Sequence, residues 1–163
     1  MFSVTQNGKE LDKSKYKWDE ENKVFSTKEN NLVLDFSDYF GVTFKTGYSC
    51  TFITGSSCTF NTGSDCTFNT GSSCTFKTGS YCTFTTGSDC TFNTSYCCTF
   101  NTGKNCVGIR YDVNGIIEIP KDITIKLNGY GKSGYTVIEE KKETCNGKVV
   151  EIDGKKYKLQ EIA

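Results

Sequence analysis

No histidine occurs among the 163 residues. Its absence excludes Ser–His and Cys–His nucleophile pairs, a histidine general base and most catalytic zinc sites. An excess of either charge is also lacking, since 19 Lys and Arg balance 19 Asp and Glu. Binding by phosphate neutralisation needs a basic face, so no nucleic-acid partner is expected. The carboxylate rows of a DNA mimic are missing too. No apolar run approaches the roughly 18 residues of a membrane-spanning helix, which predicts a soluble chain without a membrane partner. Residues Met1 to Glu10 hold no apolar h-region. No secretory signal is therefore expected, and the predicted location is the cytoplasm. No phosphate-cradling glycine motif follows a strand-like segment, and Asp65 and Asp89 fall in turns on opposite edges. The chain is thus expected to be no enzyme and to need no cofactor.

Cysteine, in contrast, is abundant. The 10 cysteines include no C-x₂-C pair of the kind that holds a metal, so no metal is expected. Without a secretory signal they are expected to be free thiols that pack as small hydrophobes. Seven of them fall into a pattern with phenylalanine. Phe44, Phe52, Phe60, Phe68, Phe76, Phe84, Phe92 and Phe100 follow one another at intervals of eight. Two residues before each stands Val42, Cys50, Cys58, Cys66, Cys74, Cys82, Cys90 or Cys98. Leu34 and Phe36 fit a degenerate earlier unit, and Cys106 opens a unit that breaks down. The unit reads Cys-Thr-Phe-x-Thr-Gly-Ser-x.

Aromatic and β-branched residues favour extended backbone, and the Gly-Ser-x that follows supplies a turn, with Gly free to take positive φ. Alternation along a strand puts Cys and Phe on one face and the intervening Thr and the variable residue on the other. One octad cannot bury its own Phe, so octads must stack. This predicts an all-β, single-domain β-solenoid with two octads per 16-residue coil and two parallel sheets about 10 Å apart. Three octads per coil would need room for three Phe per turn. Residues 1–33 are read as an N-terminal β cap, 34–105 as the solenoid, and 106–163 as a C-terminal β cap or docking module. The flanks carry strand signals, including an Asn7-Gly8 hairpin and a second hairpin across Asp153-Gly154.

The 16-residue coil sorts the surface. One face bears Thr43, Lys45, Thr59, Asn61, Thr75, Lys77, Thr91 and Asn93. The other bears Thr51, Ile53, Thr67, Asn69, Thr83, Thr85, Thr99 and Asn101 and carries no charge. One edge collects Tyr48, Asp65, Tyr81 and Tyr96.

The units Cys58-Thr59-Phe60-Asn61-Thr62-Gly63-Ser64-Asp65 and Cys74-Thr75-Phe76-Lys77-Thr78-Gly79 resemble a group of uncharacterised phage and prophage octapeptide-repeat proteins. Asn7 to Asp12 and Ile123 to Asn128 are similar to that group as well. The resemblance implies a virus-encoded accessory protein acting in the host cytoplasm, and no known activity. The array departs from the unit at Ser95-Tyr96-Cys97, where Gly is lost and a second Cys joins Cys98.

The leading expectation is a non-enzymatic interaction protein that binds, and can thereby inhibit, a host or defence protein through the tyrosine edge. Two alternatives stand beside it. One is a structural virion component, such as a fibre or spike segment. The other is an ice-binding protein using the uncharged threonine face. Arg110, Tyr111 and Lys126 mark the C-terminal part as a candidate homo-oligomer or docking module.

Overall fold

The structure, a computed structural model, describes residues 1–139, 149–152 and 155–158. The turn expected at Asp153-Gly154 lies outside the described residues. The chain opens with β1 (Ser3–Gln6), β2 (Lys9–Glu10), β3 (Tyr16–Asp19), β4 (Val24–Thr27) and β5 (Leu32–Phe36). The octads then form β6 (Thr43–Lys45), β7 (Thr51–Thr54), β8 (Thr59–Asn61), β9 (Thr67–Thr70), β10 (Thr75–Lys77), β11 (Thr83–Thr86), β12 (Thr91–Thr94) and β13 (Thr99–Thr102). After them come β14 (Cys106–Arg110), β15 (Gly115–Ile119), β16 (Ile125–Leu127), β17 (Tyr135–Val137), β18 (Val149–Ile152) and β19 (Lys155–Lys158).

Successive octads alternate between two sheets. In the first, here the threonine sheet, β5, β7, β9, β11 and β13 stack in parallel. In the second, the lysine sheet, β4, β6, β8, β10, β12 and β14 do the same. Phe52 pairs with Phe68 and Phe60 with Phe76, so each coil takes 16 residues. The molecule is therefore a two-sided β-solenoid, and the parallel register runs from β4 to β14.

Both ends reverse strand direction. At the N-terminus β1 lies antiparallel on β5 and β3 antiparallel on β4. At the C-terminus β16 lies antiparallel on β13 and β15 antiparallel on β14. The Asn7-Gly8 turn joins β1 to β2, and both its residues take positive φ.

The interior is a phenylalanine stack. Octad rings within one sheet lie face to face at 4.8–5.1 Å, as between Phe60 and Phe76 or Phe44 and Phe60. Rings from opposite sheets meet edge to face at 4.9–5.5 Å, as between Phe84 and Phe92 or Phe44 and Phe52. Both arrangements suit the aromatic quadrupole. Phe2, Trp18 and Tyr39 close the lower end around Phe36, and Ile119, Ile125 and Leu127 cover the upper end.

The second Thr of each octad also points inward. Thr54, Thr70, Thr86 and Thr102 donate their hydroxyls to the carbonyl of the next residue at 3.2–3.3 Å. That bond satisfies a polar group which burial would otherwise penalise.

The glycines act by size rather than by conformation. In the octad turns it is the eighth residue that takes positive φ: Ser49, Ser57, Asp65, Ser73, Tyr81, Asp89, Cys97 and Asn105. The turn glycines do not, which corrects the reading of Gly as the positive-φ residue. A Cβ on Gly71, Gly79 or Gly87 would instead sit 2.2 Å from the Oγ of Ser56, Ser64 or Ser72 in the coil below. Those hydroxyls are fixed because each accepts a backbone amide one coil on: Ser72, Ser80 and Ser88 donate to them at 3.0–3.1 Å.

Candidate functional site

The edge that leads from the lysine sheet to the threonine sheet gathers the tyrosines. Tyr48, Asp65 and Tyr81 are exposed there, with Tyr48 at 54% and Tyr81 at 55%. They do not form one unbroken row. Tyr48 and Tyr96 occupy the residue after the turn's Gly position, whereas Asp65 and Tyr81 occupy the positive-φ position. Tyr81 and Tyr96 meet edge to face at 5.5 Å. Among the described residues Tyr48 makes no ring contact with either.

A residue from outside the repeat completes the group. Tyr130, 73% exposed, meets Tyr96 edge to face at 5.4 Å. Backbone pairing brings it there. In lower turns the positive-φ residue donates to the coil above, as Asp65 does to Ser80 and Tyr81 to Tyr96. Cys97 donates instead to the carbonyl of Asn128, so residues 128–131 stand in for the missing coil. The Ser95-Tyr96-Cys97 departure thus keeps the turn geometry, with Cys97 at φ 57°. The substituting Ser95 is buried.

Arg110 anchors this segment. Its guanidinium is fully buried and forks onto the Asp112 carboxylate. It also donates to the carbonyls of Lys132 at 2.7 Å and Gly129 at 3.3 Å. The amide of Gly131 donates to the same carboxylate. Burial pushes the Asp112 carboxyl up, but the hydrogen bonds from Arg110 and Gly131 outweigh it and hold it below its ordinary value. Arg110 therefore offers nothing to a partner. Of the three residues that marked the C-terminal part as a docking module, Tyr111 and Lys126 are exposed.

The uncharged face is built as its residues suggested. Thr51, Thr67, Thr83 and Thr99 pair in register, and so do Ile53, Asn69, Thr85 and Asn101. Neighbouring ranks lie about 4.8 Å apart. Asp35 bounds the ladder below and Lys126 above.

The thiols form two inward columns. Cys50, Cys66, Cys82 and Cys98 line the threonine sheet, and Cys58, Cys74, Cys90 and Cys106 the lysine sheet; all are buried and free. In-register neighbours in a parallel sheet sit about 4.8 Å apart with parallel side chains, which is wider than the Cβ spacing of about 3.8 Å in a disulfide. Cys97 lies in its turn, half-buried, apart from inward Cys98. Hydrogen bonding to neighbouring thiols, then burial, pushes Cys50, Cys74 and Cys82 up. Burial pushes Cys106 up. The accepting thiols between them are drawn down, Cys58 to about 6 by Cys74, because the proton is shared along the column. Burial by itself disfavours a thiolate in either column. Among the described residues no group of three His, Cys, Asp or Glu is placed to hold a metal.

No family model, curated protein or solved structure matches the chain.

Proposed function

We propose that the chain is a non-enzymatic, protein-binding β-solenoid whose tyrosine edge is the contact surface. The Tyr81–Tyr96–Tyr130 ladder carries this reading. Tyrosine is favoured at interface hot spots. Rings already held by one another, on a segment anchored through Arg110, lose little freedom when a partner docks. Asp65 one coil below Tyr81 supplies a polar rim. The octapeptide resemblance favours a phage-encoded accessory protein acting in the host cytoplasm on a host or defence protein.

Affinity capture from the natural host tests this. Wild type and an Asn69→Ala variant, altered on the outward face of the threonine sheet, are expected to retain the same protein. Tyr81→Ser and Tyr130→Ser are expected to lose it. A captured protein retained equally by the tyrosine variants would remove the edge as the contact surface. Recovery of the chain as a stoichiometric part of purified virions would replace this reading with a structural one.

A second reading rests on the in-register Thr51, Thr67, Thr83 and Thr99 ladder. A flat, regular row of hydroxyls without charge can order water and bind ice. Thermal hysteresis lost in Thr67→Lys would support it, and its absence in wild type would remove it.

A further inference from the structure

The outward face of the lysine sheet carries a second organised surface. Lys17, Ser26, Lys45, Asn61, Lys77 and Asn93 follow one another in register across β3, β4, β6, β8, β10 and β12. Lysines recur at every second rank, about 9.6 Å apart for two strand spacings. No carboxylate interrupts the row. All three lysines are exposed, and none forms an ion pair among the described residues. Beside it runs a row of hydroxyls, Thr43, Thr59, Thr75 and Thr91.

Near the upper end Tyr111 folds back over this face. Its hydroxyl donates to the carbonyl of Thr78 at 3.4 Å, and its ring stays half exposed. With Asn61, Lys77, Asn93 and the backbone at Gly63 and Gly79 it encloses a groove of about 450 Å³, a size suited to a small-molecule unit. One wall is an aromatic ring, two others are amides that both donate and accept, and one is an ammonium.

We propose that this groove and the row leading to it bind an acidic carbohydrate chain. A sugar carboxylate pairs with Lys77, ring hydroxyls bond to the Asn61 and Asn93 amides and the threonine hydroxyls, and an apolar sugar face rests on Tyr111. Lys45 and Lys17 meet charges further along the polymer. The charge density argues for this class over nucleic acid. A DNA strand carries a phosphate about every 3.4 Å, so lysines about 9.6 Å apart would leave most phosphates unmatched. An acidic peptide motif is recognised by clustered arginines, and this row holds singly spaced lysines and no arginine. This face is the outward surface of fully paired strands.

The test is affinity electrophoresis of the full chain through gels containing hyaluronate, whose single carboxylate on every second sugar suits lysines on every second rank. Retardation is expected, weaker with the methyl-esterified polymer. Lys77→Gln is expected to weaken binding about tenfold or more, as loss of a charge-assisted hydrogen bond does. Tyr111→Ala is expected to do likewise, while Tyr111→Phe, which keeps the ring, stays near wild type. Asn69→Ala on the opposite sheet is expected to change nothing. Unchanged thermal unfolding midpoints identify the variants as folded. Absence of retardation overturns the proposal. So does equal binding to polyglutamate or poly(dT), which would mark a generic polyanion surface, or binding indifferent to Lys77→Gln in a folded variant.

Discussion

Gly79 shows at single-residue scale how the repeat is enforced. A methyl group there would lie 2.2 Å from the Ser64 Oγ and 3.0 Å from the Ser64 amide nitrogen, so Gly79→Ala must push two coils apart. A destabilisation of about 1–3 kcal/mol is expected, the usual range for overpacking, measured by urea unfolding. Adding Ser64→Gly removes the nearest atom and is expected to recover part of the loss. An equal loss in both variants would show that backbone contact, not the hydroxyl, sets the limit. The octad displayed these residues plainly, but the reason for them was hidden. A Gly-Ser-x turn signals positive φ at Gly when judged by local propensity. The selecting contact lies between residues 15 apart in sequence, and it exists only once the coils are stacked.

At the scale of elements, the thiol columns and the closing segment respond oppositely to pH. Free cysteine titrates near 8.5, and hydrogen bonding to neighbouring thiols, then burial, raises Cys74 and Cys82. A raised value contributes stability that is complete below the unfolded value and lost as pH climbs through the folded one. The unfolding midpoint is therefore expected to fall above about pH 9, and less steeply in Cys74→Ala/Cys82→Ala. An identical alkaline slope in both proteins would contradict the columns' role. Asp112 works in the other direction, because its folded value lies below its unfolded one. Its contribution is present above about pH 4 and lost as the carboxyl protonates below that. Asp112→Asn leaves the buried Arg110 charge uncompensated, which typically costs about 3–5 kcal/mol. That variant is expected to unfold earlier and to be cleaved by protease near residues 129–132, whereas unchanged cleavage would deny the anchor. Sequence periodicity made the columns legible, since Cys and Phe two apart must share a strand face. It left the anchor illegible. Arg110 looks like a surface cation until Asp112 and the Gly129 and Lys132 carbonyls converge on it. Tyr130 then joins Tyr96 with no repeat position to announce it.

For the whole molecule, the alternation of sheets means each octad is the previous one turned by half a revolution and raised by half a coil. The consequence is checkable by insertion after Asp65. Two further octads are expected to leave Tyr48 and Tyr81 on one edge and to separate them by about 4.8 Å more along the axis. One further octad is expected to keep the protein folded yet carry Tyr81, Tyr96 and Tyr130 to the opposite edge from Tyr48. Labels at positions 48 and 81 distinguish the two. A single-octad insertion that left the label distance on one edge would refute the 16-residue coil. The two faces and the tyrosine edge were legible because one number, the coil length, fixes them together. The end closures were legible only as strands, since nothing local states that β15 and β16 run against their neighbours. That reversal has a consequence for growth. An in-register parallel stack is a template for its own extension, and open rims of this kind seed fibrils. Here the rungs that flank the stack, β1 and β16 on one sheet and β3 and β15 on the other, run against it, so the in-register parallel pairing that would template a further octad is interrupted at both rims.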